Sequence, residues 1–175
     1  YLIQLGNYIK GIVQLDFGTS YTTKNPVLDN IMDRFPTTFL LAVLAVALAS
    51  VIGIPLGIIA ATKQNTVFDY ISSILALIGA SMPSFWLGLM LIIGFALNLG
   101  WFPASGLSTP KHWVLPVVAI GVFPIATIMR TTRSSMLEVI RQDYIRTARS
   151  KGITENKVIM RHALKNALIP VVTII

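Results

Sequence analysis

Three long runs without a charged residue dominate the pattern of hydrophobic and polar positions along this chain. The first lies between Arg34 and Lys63 and contains 28 residues. The second lies between Asp69 and Lys111 and contains 41 residues. The third contains 18 residues and ends before Arg130. A helix needs about 20 apolar residues to cross the roughly 30 Å of bilayer hydrocarbon, so each run predicts a membrane-spanning helix.

Prolines interrupt every predicted span. Pro36 stands at the start of the first one, where its missing N–H costs little, and Pro55 with Gly57 predicts a kink further along. Pro83 lies deep in the second run, which therefore forms either one long kinked helix or a broken one. The predicted spanning helices are 36–62, 70–99 and 113–131, and a further one starts within 166–175.

The segment before the first span has the periodicity of helices that lie on a surface. Apolar residues recur there at spacings of three and four in two places, which predicts two short helices flat against the outer face of the membrane. A loop rich in Gly, Ser and Thr, "LDFGTSYTT", separates them. The apolar positions are Leu2, Leu5, Ile9, Ile12 and Val13 in the first helix, and Leu28, Met32 and Phe35 in the second, which starts at Asn25-Pro26.

Basic residues are concentrated between Arg130 and Lys165. This stretch holds nine of the fourteen Lys and Arg residues against three acidic ones, a net charge of +6 in a chain whose total is +7. Lys and Arg accumulate on the cytoplasmic side of membrane proteins, so we expect 132–165 to be a cytoplasmic loop. The other connections then divide into one cytoplasmic turn, 63–69, and two outer segments, 1–35 and 100–112.

The pattern of the basic loop predicts two helices joined by a sharp turn. Ser135 and Glu138 have the spacing of a capping box, which predicts a helix start there. Gly152 suits the left-handed residue that ends a helix, and Thr154 can cap the next one. Apolar residues at spacing four give each helix one hydrophobic face: Met136, Ile140, Tyr144 and Ala148 in the first, and Ile159, Ala163 and Ala167 in the second.

The composition predicts an all-α integral membrane protein, since 54% of the residues are hydrophobic and 12% are charged. No charged residue falls inside a predicted span before Arg130, which stands at the end of the third one, and this argues against the proton relays and coupling-ion sites of secondary transporters. The sequence has no Walker loop for ATP. It has no cysteine, and neither His112 nor His162 has a partner at metal-ligand spacing. We therefore predict no catalytic residue, cofactor or metal site. Nucleic acid is not an expected partner, because the basic helices lack an aromatic stacking platform.

Polar side chains are few in the second run. Ser81, Ser84 and Asn98 are the strongly polar ones within 76–100. Together with Pro83 they are the candidate lining of a translocation path. The alternative is that Pro83 kinks the helix for packing alone.

The basic loop resembles the cytoplasmic EAA loop of permease subunits of ATP-binding-cassette (ABC) importers. In that loop Glu-Ala-Ala, three residues and a glycine form a helix and turn that dock in a cleft of the ATPase subunit. Counted back from Gly152, the three positions are Arg146, Thr147 and Ala148, of which only the last is retained. Lys165 stands where the loop usually has its proline.

The loop with these departures resembles one branch of that family, the first permease of the dipeptide, oligopeptide and nickel importers. The resemblance covers essentially the whole chain. It is carried by "MLEVIRQDYIRTARSKG" and "RHALKNALIPV" in the loop, and by "DFGTSY", "PVLDNIMDRFPTT", "IGIPLGIIAA" and "PSFWLGLMLI" before it.

The resemblance implies the type I ABC importer permease fold, a multi-span helical bundle with kinked helices and a cytoplasmic coupling hairpin. It implies a multi-pass subunit in a bacterial or archaeal plasma (inner) membrane, not itself an enzyme, that forms half of the pathway for peptides or nickel. We expect the sequence to be the central part of a longer polypeptide. The implied partners are a second homologous permease in a heterodimer, two cytoplasmic ATP-binding subunits that hydrolyse ATP, an external substrate-binding protein and membrane lipid. The residues implied in ATPase coupling are Tyr144, Arg146, Thr147, Ala148, Arg149, Lys151 and Gly152.

Two alternatives to a transport subunit are a lipid-binding membrane anchor and a membrane-embedded enzyme. By charge alone the basic loop suits anionic lipid, but an anchor needs no capped helical hairpin. An enzyme would need convergent titratable groups at the bilayer, and the predicted spans carry none. Copurification of an ATPase would favour the permease, whereas activity of the isolated chain on lipid or peptide bonds would favour the enzyme.

Overall fold

The computed structural model consists of helices, in agreement with the all-α class predicted from the sequence. It describes the backbone of residues 1–175 and every side chain except those of Leu2, Ile3 and Asn7. The α-helices are α1 (Leu2–Val13), α2 (Val27–Thr62), α3 (Val67–Ser81), α4 (Ser84–Leu91), α5 (Lys111–Ile140), α6 (Asp143–Ser150), α7 (Glu155–Lys157) and α8 (Leu164–Val172). Two π-helical segments accompany them: π1 (Ile92–Asn98) follows α4, and π2 (Val158–Ala163) joins α7 to α8.

Two compact units divide the chain within α2, unit 1 from Tyr1 to Ala42 and unit 2 from Val43 to Ile175. In unit 1 the loop between α1 and α2 is ordered by its own hydrogen bonds. The Asp16 carboxylate accepts the N–H of Gly18 at 2.9 Å. The predicted apolar stripe of α1 is exposed in this chain at Leu5, Ile9, Ile12 and Val13, while Leu2 lies outside the described side chains.

The first predicted span and the short helix before it are a single helix. Residues 27–62 are helical without a break, and Pro36 lies inside α2 rather than at its start. The separate helix predicted before Pro36 is therefore wrong. A proline removes only one backbone hydrogen bond from a helix, and no glycine accompanies Pro36 to end it.

The second predicted span is broken at Pro83. Helix α3 ends at Ser81, α4 begins at Ser84, and α3 makes an angle of 101° with α4 and π1. This settles the choice left open by the sequence in favour of a broken helix. Met82 and Pro83 have extended backbone (ψ 126° and 133°), as expected where a proline disfavours the helical conformation of the residue before it.

The third predicted span continues into the basic loop. Helix α5 runs from Lys111 to Ile140, and Ser135 lies buried in its interior rather than at a helix start. The predicted capping box is therefore wrong. No glycine or proline stands between Arg130 and Ile140, so nothing in this stretch ends the helix.

A stripe of small residues on α2 brings it close to α5. A Cβ added to Gly57 would lie 2.6 Å from the carbonyl oxygen of Met129 and 2.6 Å from the Cβ of Thr132. A Cβ added to Gly53 would lie 2.9 Å from the carbonyl oxygen of Ile125. Small residues at four-residue spacing let two helix backbones approach in this way in membrane proteins. The buried members of the stripe are Ala45, Ala49, Gly53, Gly57 and Ala61.

Helices α2 and α5 are each long and apolar enough to cross a membrane, and α3 with α4 and π1 adds a third span if the bent pair is counted as one. Large apolar side chains are exposed on all of these helices. Val51 is 72% exposed, Leu75 62% and Phe85 72%. Such surfaces suit hydrocarbon rather than water.

Candidate functional site

The candidate functional site is the hairpin, which we define as α6, the turn at residues 151–154 and the arm that follows. The arm comprises α7, π2 and α8 and is helical without interruption from Glu155 to Val172. Only Arg141 and Gln142 separate α6 from the end of α5. The hairpin is therefore a direct continuation of a predicted span.

The turn of the hairpin is a Schellman motif closed by Gly152, whose φ is +75°. The N–H of Gly152 donates to the carbonyl of Arg149 at 2.9 Å. The N–H of Ile153 donates to the carbonyl of Ala148 at 3.4 Å. These are the two bonds of that motif, so the prediction that Gly152 ends the helix in the left-handed conformation is confirmed. Thr154 stands at the N-cap of α7, but its side chain makes no capping hydrogen bond, so its predicted capping role is wrong.

The hairpin packs against the rest of unit 2 through an apolar face. Ile145 on α6 and Val158 on π2 are both 0% exposed. The predicted face of the second helix is confirmed, since all three of its residues are buried. The whole cluster contains Ala61, Met136, Ile145, Ala148, Val158, Ile159, Ala163 and Ala167. The hairpin is thus part of the core of unit 2.

Ala148 belongs to this core and is buried within the chain. Its side chain is 7% exposed, and it packs with Ile145. The predicted stripe through Ile140, Tyr144 and Ala148 assumed one unbroken helix. The break at residues 141–142 changes the helical phase, so α6 buries Ile145 and Ala148 and turns Tyr144 outward. The small side chain of Ala148 serves packing inside the chain.

The outward face of α6 is polar and exposed. Tyr144 is 43% exposed, and its hydroxyl accepts a hydrogen bond of 2.7 Å from Nδ2 of Asn166. Thr147 is exposed and donates from Oγ1 to the carbonyl of Asp143 at 3.0 Å. Arg146 and Lys151 are exposed as well. Six of the seven predicted coupling residues are therefore exposed in this chain, and only Ala148 is buried.

Arg149 clamps the two sides of the turn together. Its Nη2 lies 2.7 Å from Oε1 of Glu155, and its Nε lies 3.1 Å from Oε2. Hydrogen bonding to Arg149 holds the pKa of Glu155 below its ordinary value. A groove of about 500 Å³ opens beside this clamp, between the ends of α2 and α5 and the hairpin, and Gln64 and Arg141 also line it.

Substitution of Gly152 tests the turn. A Cβ at this position meets nothing within 4 Å, so the cost of a side chain is that of the backbone conformation alone. We expect Gly152→Val to destabilise the hairpin by about 1–2 kcal/mol, because a β-branched residue resists positive φ. Gly152→Asn should cost clearly less, because Asn visits that region. Hydrogen exchange of residues 143–158 measures the difference, and equal effects of Val and Asn would contradict it.

The clamp is expected to make the turn sensitive to acid. Because the folded pKa of Glu155 is lowered, the contribution of the pair is complete above the ordinary glutamate value and is lost as the pH falls through the lowered one. The chain has no cysteine of its own, so a nitroxide attached at Ser150→Cys reports on the turn. We expect the label to remain immobile from pH 7 to about 4.5 and to gain mobility below.

The matched variant for the acid response is Glu155→Gln, in which the label should be mobile throughout this pH range. An unchanged pH response in that variant would show that Glu155 is not the titrating group.

The sequence reasoning missed an ion pair between α3 and α5, in which the carboxylate is buried and the arginine side chain is 28% exposed. Asp69, on the first turn of α3, is 2% exposed. Nε of Arg133 lies 2.6 Å from its Oδ1, and Nη2 lies 2.7 Å from its Oδ2. The backbone N–H of Asn65 donates to Oδ2 at 3.1 Å. A sequence signal was present, since both charges stand at ends of neighbouring predicted spans that the predicted topology puts on the same side of the membrane.

The candidate path residues lie at two separate places. Ser81, Pro83 and Ser84 stand at the bend between α3 and α4, and all three are exposed. Ser84 also lines a cavity of about 350 Å³ between α4, the loop after π1 and the start of α5, where His112 lies. Asn98 is exposed at the far end of π1. The bend thus gathers three of the four residues, and their role in transport stays a prediction.

Comparison with known proteins gives a consistent result. Residues 53–175 match the family described as "Binding-protein-dependent transport system inner membrane component". The dipeptide transport system permease protein DppB of Alkalihalophilus pseudofirmus is 43% identical, over 100% of this chain and 61% of the relative. DppB of Bacillus subtilis is 46% identical over 96% of this chain and 55% of the relative. The oligopeptide transport system permease protein AppB of Bacillus subtilis is 43% identical over 99% of this chain and 57% of the relative. The chain therefore spans less than two thirds of the length of these relatives.

Proposed function

This chain belongs to the family of binding-protein-dependent transport system inner membrane components, and on that premise we propose that it is a membrane-spanning subunit of an ATP-driven ABC importer of peptides. It forms half of the translocation pathway together with a second, homologous permease. Two ATP-binding subunits supply the energy from the cytoplasm, and an external binding protein delivers the cargo. The dipeptide and oligopeptide permeases among its relatives support peptides as the cargo rather than nickel.

The observation that carries the proposal is the two-sided construction of the hairpin. Its inner face is buried in the core of unit 2, and its outer face presents Tyr144, Arg146, Thr147 and Lys151. A rigid body of this kind transmits a push on its outer face to α5, from which only two residues separate it. An ATPase subunit docked there moves the hairpin when it closes, and the hairpin moves the spans. Allosteric coupling of this kind depends on packed elements that shift between discrete arrangements.

The basic residues orient the subunit. The net charge of +6 between Arg130 and Lys165 supports a cytoplasmic position of the hairpin. Segment 1–35 and the loop 100–112 then face the outside of a plasma membrane, where the binding protein docks. The bend with Ser81, Pro83 and Ser84 lines the path between the two sides.

The alternatives are less well supported by the hairpin. A lipid-binding anchor requires charge at the membrane surface, but not a helix pair whose inner face is built into the core. An enzyme would place convergent titratable groups in a cleft, whereas the buried carboxylate of Asp69 is already occupied by Arg133 and Asn65.

Bulk on the outward face tests the docking. The experiment uses the complete importer, purified through a tag on the full-length permease. We expect Thr147→Trp to reduce copurification of the ATPase by about tenfold, the effect of about 1.4 kcal/mol at an interface. Uptake of labelled dipeptides in cells should fall with it.

The matched control is Thr38→Trp. Thr38 is also an exposed helical threonine, and its Oγ1 also donates to the carbonyl four residues earlier, at 3.1 Å. This variant should retain the ATPase. Normal copurification with Thr147→Trp, or equal losses with both variants, would refute docking at the hairpin. Uptake of nickel in place of peptides by the wild type would refute the cargo.

A further inference from the structure

The carboxylate of Asp69, on the first turn of α3, accepts three hydrogen bonds. Both of its carboxylate oxygens bind Arg133, at 2.6 and 2.7 Å, and Oδ2 also accepts the N–H of Asn65. The other ion pairs among the described side chains join residues three and six positions apart in the hairpin, Arg146 with Asp143 and Arg149 with Glu155. The Asp69–Arg133 pair instead joins α3 to α5 across 64 positions of sequence.

Stability alone does not account for such a pair. Moving a charge out of water costs several kcal/mol, here fully for Asp69 and only in part for Arg133, whose side chain is 28% exposed, and replacing a buried pair by apolar residues is often neutral or stabilising. What a buried pair does provide is a fixed register. The planar fork of arginine matches a carboxylate at two points, so it resists both sliding and rotation of one helix against the other.

The pair lies between the hairpin and the bend. Arg133 stands seven residues before the end of α5 at Ile140, about 10 Å along the helix. Asp69 stands on the first turn of α3, whose other end is the break at Pro83. A shift of α3 along α5 by one residue, about 1.5 Å, is more than half the length of either hydrogen bond of the fork, 2.6 and 2.7 Å.

A second polar contact, nearer the hairpin, joins the end of α5 to the turn before α3. Nη2 of Arg141 lies 3.4 Å from Oε1 of Gln64, in the turn that precedes α3. The same turn is tied to Asp69 through the N–H of Asn65. The start of α3 and the end of α5 are therefore joined at successive levels by polar groups.

We propose that the Asp69–Arg133 pair makes α3 follow α5 whenever the hairpin is moved, so that hydrolysis of ATP by the partner reaches the bend at Pro83. Asp69 and Arg133 are then positioning residues for transport. This inference rests on the proposed function, because it assumes that an ATPase drives the hairpin.

The first test removes the register but not the packing. The complete importer is reconstituted in proteoliposomes with Asp69→Leu and Arg133→Met combined, which replaces the charges by apolar groups. We expect this double variant to fold and to retain its ATPase. The amount of dipeptide transported per ATP hydrolysed should fall at least about fivefold, the lower end of allosteric couplings. A pair with a purely structural role predicts the wild-type ratio, and that result would overturn the proposal.

The second test follows the two helices directly. Nitroxide labels at Ile71→Cys on α3 and Ser134→Cys on α5 occupy exposed positions on either side of the pair. In the wild type the distance between them should be the same with and without a trapped ATP analogue. In the apolar double variant the distance should differ between the two states. An unchanged distance in both proteins would overturn the proposal.

A conservative variant covers the case in which the double variant is not recovered from membranes. Arg133→Lys keeps both charges and loses the fork, and it should lower the transport ratio while the ATPase stays bound. A wild-type ratio in that variant would overturn the proposal. Failure of the proposed function would look different, because the wild-type complex itself would then bind no ATPase or import no peptide.

Discussion

Replacing Gly57 by leucine is expected to prevent recovery of folded protein from membranes, and replacing it by alanine to destabilise the fold by about 2–3 kcal/mol. The added Cβ would lie 2.6 Å from the carbonyl oxygen of Met129 and from the Cβ of Thr132. Neither atom is the flexible end of a side chain, so α2 must move away from α5. That movement also loosens the contact of Gly53 with Ile125. Thermal unfolding of the purified subunit in detergent measures the loss.

Gly94→Ala is the matched control for this prediction. A Cβ at Gly94 meets nothing within 4 Å, so alanine there should leave the midpoint of unfolding unchanged or raise it slightly, because alanine favours helices over glycine. If Gly57→Ala behaves like Gly94→Ala, the close approach of α2 to α5 does not exist in the folded protein.

Replacing Arg133 by leucine is expected to lower the stability of the subunit by about 3–5 kcal/mol. Asp69, 2% exposed, would then remain as a buried carboxylate with only the N–H of Asn65 as a partner. The expected result is a large drop in the amount of monodisperse protein after extraction from membranes. A second substitution, Asp69→Leu, should restore most of that amount, since it removes the charge that lacks a partner.

Arg146→Leu provides the comparison with an exposed pair. The side chains of Arg146 and Asp143 are 75% and 96% exposed, and their contact is 3.4 Å long. Solvent screens such a pair, so its loss should have little effect on stability. A small effect of Arg133→Leu, similar to that of Arg146→Leu, would contradict the buried state of Asp69.

The features that the sequence predicted well depend on nearby residues. Two of the three long uncharged runs, those that end before Lys63 and Arg130, form long apolar helices. The left-handed conformation of Gly152 follows from its place at the end of a helical pattern. The burial of Ile159, Ala163 and Ala167 follows from their spacing. Each of these properties is determined within about 20 residues of sequence.

The features that the sequence did not predict depend on distant residues or on exact helix ends. Ser135 and Glu138 have the spacing of a capping box, but no residue interrupts α5 there, so the helix continues through Ser135. The two residues between α5 and α6 change the helical phase, so Ala148 is buried while Tyr144, predicted on the same face, is exposed. The burial of Asp69 depends on a partner 64 positions away, which no local pattern reveals.

The packing of the hairpin also limits how related importers can exchange parts. Residues 143–157 form a short continuous segment, but its inner side chains pack with Ala61 and Met136 in two other helices. A graft of the whole segment from a relative would bring foreign core residues into a site that cannot adapt to them. The outward-facing positions are not constrained by this core packing. Under the proposed docking, evolution can therefore alter which ATPase the subunit accepts by changing Tyr144, Thr147 and Lys151, while the interior face of the same short helix stays fixed.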